Sequence, residues 1–221
     1  MNGALAIVSG RPIATIDRFI EDAVPAVAGI SGAERRSASR HVHRIDMDST
    51  TLDSARELLT QFATSRPGVL VEDKGVSLAL HYRLAPAHAD ACREIIEACA
   101  RRSSGRLERM EGKMVAELKP AGVSKAATVL AFMNEPPFAG RRPVYVGDDL
   151  VDEDAFAVVA KTNGFSIIVG TRTPTAATMR LASVNDVHGW LRAFCQQVAA
   201  NGVKQAQAAV QVDTSYAKAV L

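Results

Sequence analysis

The chain opens on a short apolar run, Ala4-Leu5-Ala6-Ile7-Val8, that stops at Ser9-Gly10-Arg11-Pro12. A brief apolar run closed by glycine and proline predicts a buried strand and a tight loop. Pro12 suits the first position of a helix, and Ile13, Ile16 and Ile20 recur at helical spacing. Residues 24–30 predict a second buried strand, and residues 31–43 a polar, basic loop leading into an edge strand. Residues 49–65 predict a helix with an apolar stripe of Leu52, Ala55, Leu58, Leu59 and Phe62. After Pro67-Gly68, two strands over 69–74 and 76–84 meet at Gly75. In the second, Val76, Leu78, Leu80, Tyr82 and Leu84 alternate with Ser77, Ala79, His81 and Arg83. That period of two predicts one face in the core and one in water. Residues 87–101 predict another amphipathic helix, followed by strands over 106–111 and 113–118.

From residue 120 the pattern changes. Ser124 is placed to cap a helix running to about residue 134, and residues 143–147 form a fully apolar strand. A short helix over 154–160, a second fully apolar strand over 165–169 and an amphipathic helix over 187–200 follow. Continuous apolar strands alternating with helices predict a parallel sheet covered on both faces. The fold class is therefore α/β: residues 1–32 and 118–200 form a parallel-sheet core, and 33–117 an inserted α/β domain. Residues 201–221, poor in large apolar side chains, predict a weakly ordered tail.

Composition narrows this further. The 221 residues are 48% hydrophobic and 23% charged, enough for a sizeable core. A net charge of +2 gives no reason to expect nucleic acid or an acidic membrane as partner. No apolar run approaches the roughly 18 residues of a membrane span. Cys92, Cys99 and Cys195 lack metal-site spacing, which predicts reduced, mostly buried thiols in a cytoplasmic protein.

Four clusters carry candidate chemistry. Gly147-Asp148-Asp149-Leu150-Val151-Asp152-Glu153 follows an apolar strand, where ligands of parallel α/β sheets bind. Its carboxylates either offer hard oxygens to a cation such as Mg²⁺ or form an acidic first helical turn. Ser9, Gly10 and Arg11 form a glycine turn at a strand end, suited to holding a phosphate oxygen or simply to starting a helix. Lys125 sits at a helix start, where a cation is mildly unfavourable and so hints at another duty; a solvated lysine is the plain alternative. In the insert, Glu72 and Lys74 share one face of a strand, as do His81 and Arg83 of the next. Lys113 and Glu117 share a face of a third, about 13 Å apart. Such a face either binds a polyhydroxyl ligand or carries solvated cross-strand ion pairs.

These segments, together with His81-Tyr82-Arg83-Leu84-Ala85-Pro86 and the run from Gly112 to Pro120, occur in the order seen in trehalose-6-phosphate phosphatases. The resemblance covers about residues 3–200. It implies a haloacid-dehalogenase-like Rossmannoid core with an inserted α/β cap. It also implies a cytoplasmic, monomeric, Mg²⁺-dependent phosphomonoesterase acting on trehalose 6-phosphate. On this resemblance Ser9, Gly10 and Arg11 bind the phosphoryl group and Lys125 neutralises it. Asp148 and Asp149 belong to the metal site, and Asp152 supports it. Glu72, Lys74, Arg83, Lys113 and Glu117 hold the trehalose part. Where the family usually has histidine the chain has Ser31, and where it has glycine after the lysine the chain has Ala126. The family's DxDGT motif, whose aspartates are nucleophile and general acid/base, has no counterpart here. The chain is therefore expected to be inactive by itself. Its alternatives are a non-catalytic sugar-phosphate-binding protein or a phosphatase for a related sugar phosphate.

Overall fold

The computed structural model describes residues 3–47 and 49–205. They form β1 (Ala6–Val8), α1 (Ile13–Ile20), β2 (Ala26–Gly29), β3 (Glu34–Arg36), β4 (Val42–Arg44) and α2 (Ser49–Thr64). Next come β5 (Leu70–Asp73), β6 (Leu78–His81), α3 (Ala89–Arg102), β7 (Leu107–Gly112), β8 (Val115–Pro120) and α4 (Lys125–Met133). The last elements are β9 (Val144–Gly147), α5 (Glu153–Lys161), β10 (Phe165–Val169), β11 (Met179–Leu181) and α6 (Val184–Gln205). Two compact units result. One holds residues 6–128 with 149–151; the other takes the described residues among 1–5, 129–148 and 152–221.

The first unit contains two sheets. In one, of order β1-β2-β3-β4, β1 runs parallel to β2 and the other pairs are antiparallel. Ala26, Val27 and Ala28 are fully enclosed, and Ile13 and Ile16 of α1 pack over Val27. β1 is an edge strand and only half-buried, less than its apolar run suggests. Pro12 caps α1 instead of opening it. The stretch expected as a loop, 31–43, contains β3. Its three charged residues show no apolar alternation; backbone pairing with β2 and β4 makes it a strand. Arg36 then forks onto Asp17 of α1 at 2.7 and 2.8 Å. β4 is the outer, exposed strand.

The other sheet, β5-β6-β8-β7, is antiparallel throughout. Leu52 and Leu59 of α2, Cys92 and Ile96 of α3, and Leu78, Leu80 and Leu118 of the sheet make one apolar cluster. Leu78, Leu80 and Tyr82 are buried as the alternation predicts. Ser77 and Ala79 are buried too, so of the other face only His81, with its side chain 40% exposed, and Arg83 past the strand end reach water. β6 is an interior strand, flanked by β5 and β8. Leu84, past its end, is 74% exposed. Lys113 lies in the two-residue turn between β7 and β8, so it does not share a strand with Glu117.

The second unit carries the parallel sheet β11-β10-β9. Ala155 and Val159 of α5 pack with Val129, and Phe156 meets Tyr145 edge-on at 5.7 Å. β9 is an edge strand with Val144 37% exposed, so its apolar run does not mean full burial. β11 is a strand that patterning missed, being three residues long. α6 starts earlier than expected and runs to Gln205; residues 206–221 lie outside the described ones. In its apolar stripe Leu191 is exposed, while Trp190 and Phe194 are half-buried and stack on each other at 6.0 Å. Cys92 and Cys99 are buried and Cys195 is exposed, in keeping with mostly buried thiols. Among the described residues no helix is long and apolar enough to cross a membrane.

Because β6 ends before Leu84, Leu80→Ala is expected to cost about 2–5 kcal/mol and Leu84→Ala less than about 0.5 kcal/mol. Urea unfolding of both variants checks this; similar losses would contradict the burial of β6.

Candidate functional site

The turn after β1 is built by backbone pairing that continues beyond the strands. Ser9 N–H donates to Ala28 O at 2.9 Å, Ser31 N–H to Ser9 O at 2.8 Å, and Ile30 N–H to Arg11 O at 3.0 Å. The Ser9 hydroxyl accepts from Arg11 N–H at 3.1 Å, closing a tight turn around Gly10. Arg11 is exposed, with its guanidinium 5.7 Å from the Phe19 ring. Glu34 reaches back to accept from Ile13 N–H at the start of α1. Gly29 permits this: a side chain there would lie 2.6 Å from Glu34 Oε1 and 2.8 Å from Arg11 O.

The start of α4 belongs to the same neighbourhood. Ser124 Oγ accepts from Ala127 N–H at 3.0 Å, the cap expected from sequence. Thr128 Oγ1 donates to Ser124 O at 2.9 Å and lies 3.3 Å from Ser31 O. Gly32 has a φ of +112° and faces Thr128, so neither backbone nor space admits a side chain there. Lys125, half-buried, is the first residue of α4. Ser9, Gly10, Arg11 and Lys125 therefore all belong to one unit, and the α4 turn meets the Ser31–Gly32 turn that is bonded to Ser9.

The Glu72 group stands on the antiparallel sheet. Register places Glu72 opposite Ala79 and Ala79 opposite Glu117, so the three form a row across β5, β6 and β8. Lys74 donates to Glu117 at 2.8 Å and lies 3.9 Å from Glu72. Ser77 Oγ donates to the other Glu117 oxygen at 2.8 Å, and His81 Nε2 lies 2.7 Å from Glu72. The Lys74 and Glu117 side chains are only 8% and 5% exposed, so this is not a solvated ion pair. Ser77, which nothing in the sequence singled out, completes the network; only the register reveals it. Arg83 and Lys113 are exposed and stand outside this network.

In the other unit, β9 ends at Gly147. Asp152 is 2% exposed and accepts from Asp148 N–H at 3.0 Å and from Tyr145 O–H at 2.7 Å. A side chain on Gly147 would collide with the Asp152 carboxyl, so glycine is required. Burial, with Asp152 adjacent, pushes the Tyr145 hydroxyl far up, and it stays a donor. Asp152 thus fixes the backbone that presents Asp148, whose own side chain is exposed. Asp149 accepts from Leu150 N–H at 2.6 Å. Among the described residues no three His, Cys, Asp or Glu side chains are grouped to hold a metal. Mg²⁺ commonly takes one or two carboxylates and keeps its waters, and the exposed Asp148 oxygens suit that role. Glu153, which patterning treated only as part of an acidic turn, receives Ala176 N–H at 2.7 Å, Thr175 Oγ1 at 3.3 Å and Arg172 at 2.8 Å.

Comparison with known proteins adds a second line. The family model described as Trehalose-phosphatase matches residues 1–185. The trehalose-6-phosphate phosphatase of Escherichia coli K12 is 41% identical over 191 residues, covering 86% of this chain and 71% of that protein. Among solved structures, the C-terminal domain of Candida albicans trehalose-6-phosphate phosphatase superposes with a TM-score of 0.70 at 20% identity, covering 82% of this chain and 74% of that one. A haloacid dehalogenase-like hydrolase from Bacteroides thetaiotaomicron gives 0.63 at 14% identity, covering 86% and 84%. The last two share the fold.

Glu153 supplies a pH prediction. Burial would raise its carboxyl, but Ala176 N–H, Thr175 and Arg172 together hold it below the usual carboxylate range. Its stabilisation is present above the unfolded value of about 4.3 and lost as pH falls through the lower folded value. Glu153→Gln is expected to cost about 1–2 kcal/mol at pH 7, with the gap to wild type closing below about pH 4. Urea unfolding across this range checks it; a gap independent of pH would contradict it.

Proposed function

This chain belongs to the trehalose-phosphatase family, and from that premise we propose that its substrate is trehalose 6-phosphate, the phosphate monoester that the family cleaves to trehalose and phosphate. The observation that carries this reading is the pairing of two sites in one unit. One is a glycine turn, Ser9-Gly10-Arg11, bonded to the turn that α4 meets. The other is an oppositely charged group in which the side chains of Lys74 and Glu117 are buried and Glu72 is exposed beside them.

Each residue then has a task. The Ser9 hydroxyl and the backbone N–H groups of the turn hold phosphoryl oxygens, with Arg11 and Lys125 supplying positive charge. An anion bound there gains from Lys125 and the α4 N-terminus together, since both favour negative charge. Glu72, Lys74 and Glu117, held rigid by Ser77 and His81, offer both donors and acceptors to sugar hydroxyls. Arg83 and Lys113 reach the same ligand from exposed positions. The inserted segment 33–117 acts as the sugar-selecting cap of the 1–32 and 118–200 core. Asp148, with Asp149 adjacent, would hold Mg²⁺, and Asp152 positions Asp148 through its backbone. When bound, the ion neutralises charge on the phosphoryl oxygens.

The 221 residues contain no DxDGT string. No residue described above takes the part of the nucleophile, so binding is assigned to this chain and rapid turnover is not. Calorimetry is expected to detect trehalose 6-phosphate at micromolar to millimolar affinity. Trehalose alone should bind at least about tenfold more weakly, one good charge-assisted contact being worth that much. Phosphate release by the same chain should stay near background. Absence of heat at millimolar trehalose 6-phosphate would remove the substrate assignment, and rapid release would remove the inactivity.

A further inference from the structure

Ser31 lies in the 3-10 turn that follows β2 and is 2% exposed. Its Oγ is buried and has no hydrogen-bond partner among the described residues. A buried hydroxyl left alone costs stability, so an orphan inside a well-bonded turn asks for an explanation. The turn itself is strained. Ile30 and Ser31 have φ of 49° and 56°, and a β-branched residue rarely adopts that region. The strain is held in place by Ile30 N–H on Arg11 O, Ser31 N–H on Ser9 O and Thr128 near Ser31 O. Strained backbone fixed from several sides is common where a group is held ready for a ligand.

The neighbour of that hydroxyl is the Ser9-Gly10-Arg11 turn, to which the phosphoryl group is assigned above. A side chain built on Gly10 would meet one heavy atom within 4 Å, and that atom is Ser31 Oγ, at 4.0 Å. The space above Gly10 is thus bordered by the orphan oxygen and little else. We infer that Ser31 is a further phosphoryl-binding residue, whose hydroxyl donates to a phosphoryl oxygen of the phosphomonoester seated over Gly10. The inference deepens the trehalose 6-phosphate reading and rests on it. The hydroxyl is unpaired without ligand and paired with it, so its stability cost is returned as affinity for the anion.

The test is calorimetry and thermal unfolding of the full chain with inorganic phosphate and with trehalose 6-phosphate, on wild type, Ser31→Ala and Ser31→Gly. Glycine accepts the left-handed φ, so the second variant keeps the turn even if alanine disturbs it. Both ligands are expected to bind each variant about tenfold more weakly, while the ligand-free Tm stays level or rises because the orphan is gone. Binding within about twofold of wild type would overturn the role of Ser31 and leave the substrate reading intact. A fall in ligand-free Tm for both variants would mark the hydroxyl as a structural partner and overturn it too. Wild type binding neither ligand would remove the substrate reading together with the inference.

Discussion

The parallel pairing of β1 with β2 is the constraint on which the Ser9-Gly10-Arg11 turn depends. The two strands are short, yet their backbone ladder does not stop with them. It passes through Ser9 N–H to Ala28, Ser31 N–H to Ser9 and Ile30 N–H to Arg11. These bonds align two loops at the carboxyl ends of neighbouring strands, where α/β sheets place ligands. Gly29 leaves room for Glu34 to cap α1, and that cap fixes the far end of the same turn. Remove the ladder and the Ser9 hydroxyl, the Gly10 space and the left-handed Ser31 lose their mutual positions together.

A different logic holds the sugar-facing candidates. Desolvating Lys74 and Glu117 is costly unless each is well bonded. Here Glu117 takes Lys74 on one oxygen and Ser77 on the other. Three-strand register supplies this, since β6 carries the small Ala79 between Glu72 and Glu117. The acidic loop after β9 uses the same economy of side chains. Asp152 spends its carboxylate on Tyr145 and the Asp148 backbone, leaving the Asp148 side chain outward.

Much of this was legible beforehand. Long periodic segments such as α2 and α3 have enough turns for their apolar stripe to show. The turn residues at Ser9-Gly10 and Gly147-Asp148 stand out because glycine follows an apolar strand. What stayed hidden depends on partners distant in sequence. β3 is all charge and becomes a strand only because β2 and β4 flank it. Ser77 looked like a solvent-facing position until β8 brought Glu117 to it. β1 and β9 are apolar enough for a sheet interior, yet each stands at an edge of its sheet. Ser31 could be noticed only as a departure from a family pattern; its orphan hydroxyl and left-handed backbone are facts of three dimensions.

A crystal structure of the chain with trehalose 6-phosphate tests the central claim most directly. The phosphoryl group should sit over Ser9-Gly10-Arg11, with disaccharide hydroxyls on Glu72, Lys74 and Glu117. A phosphoryl group bound on another loop, or a disaccharide placed away from that charged row, would contradict it.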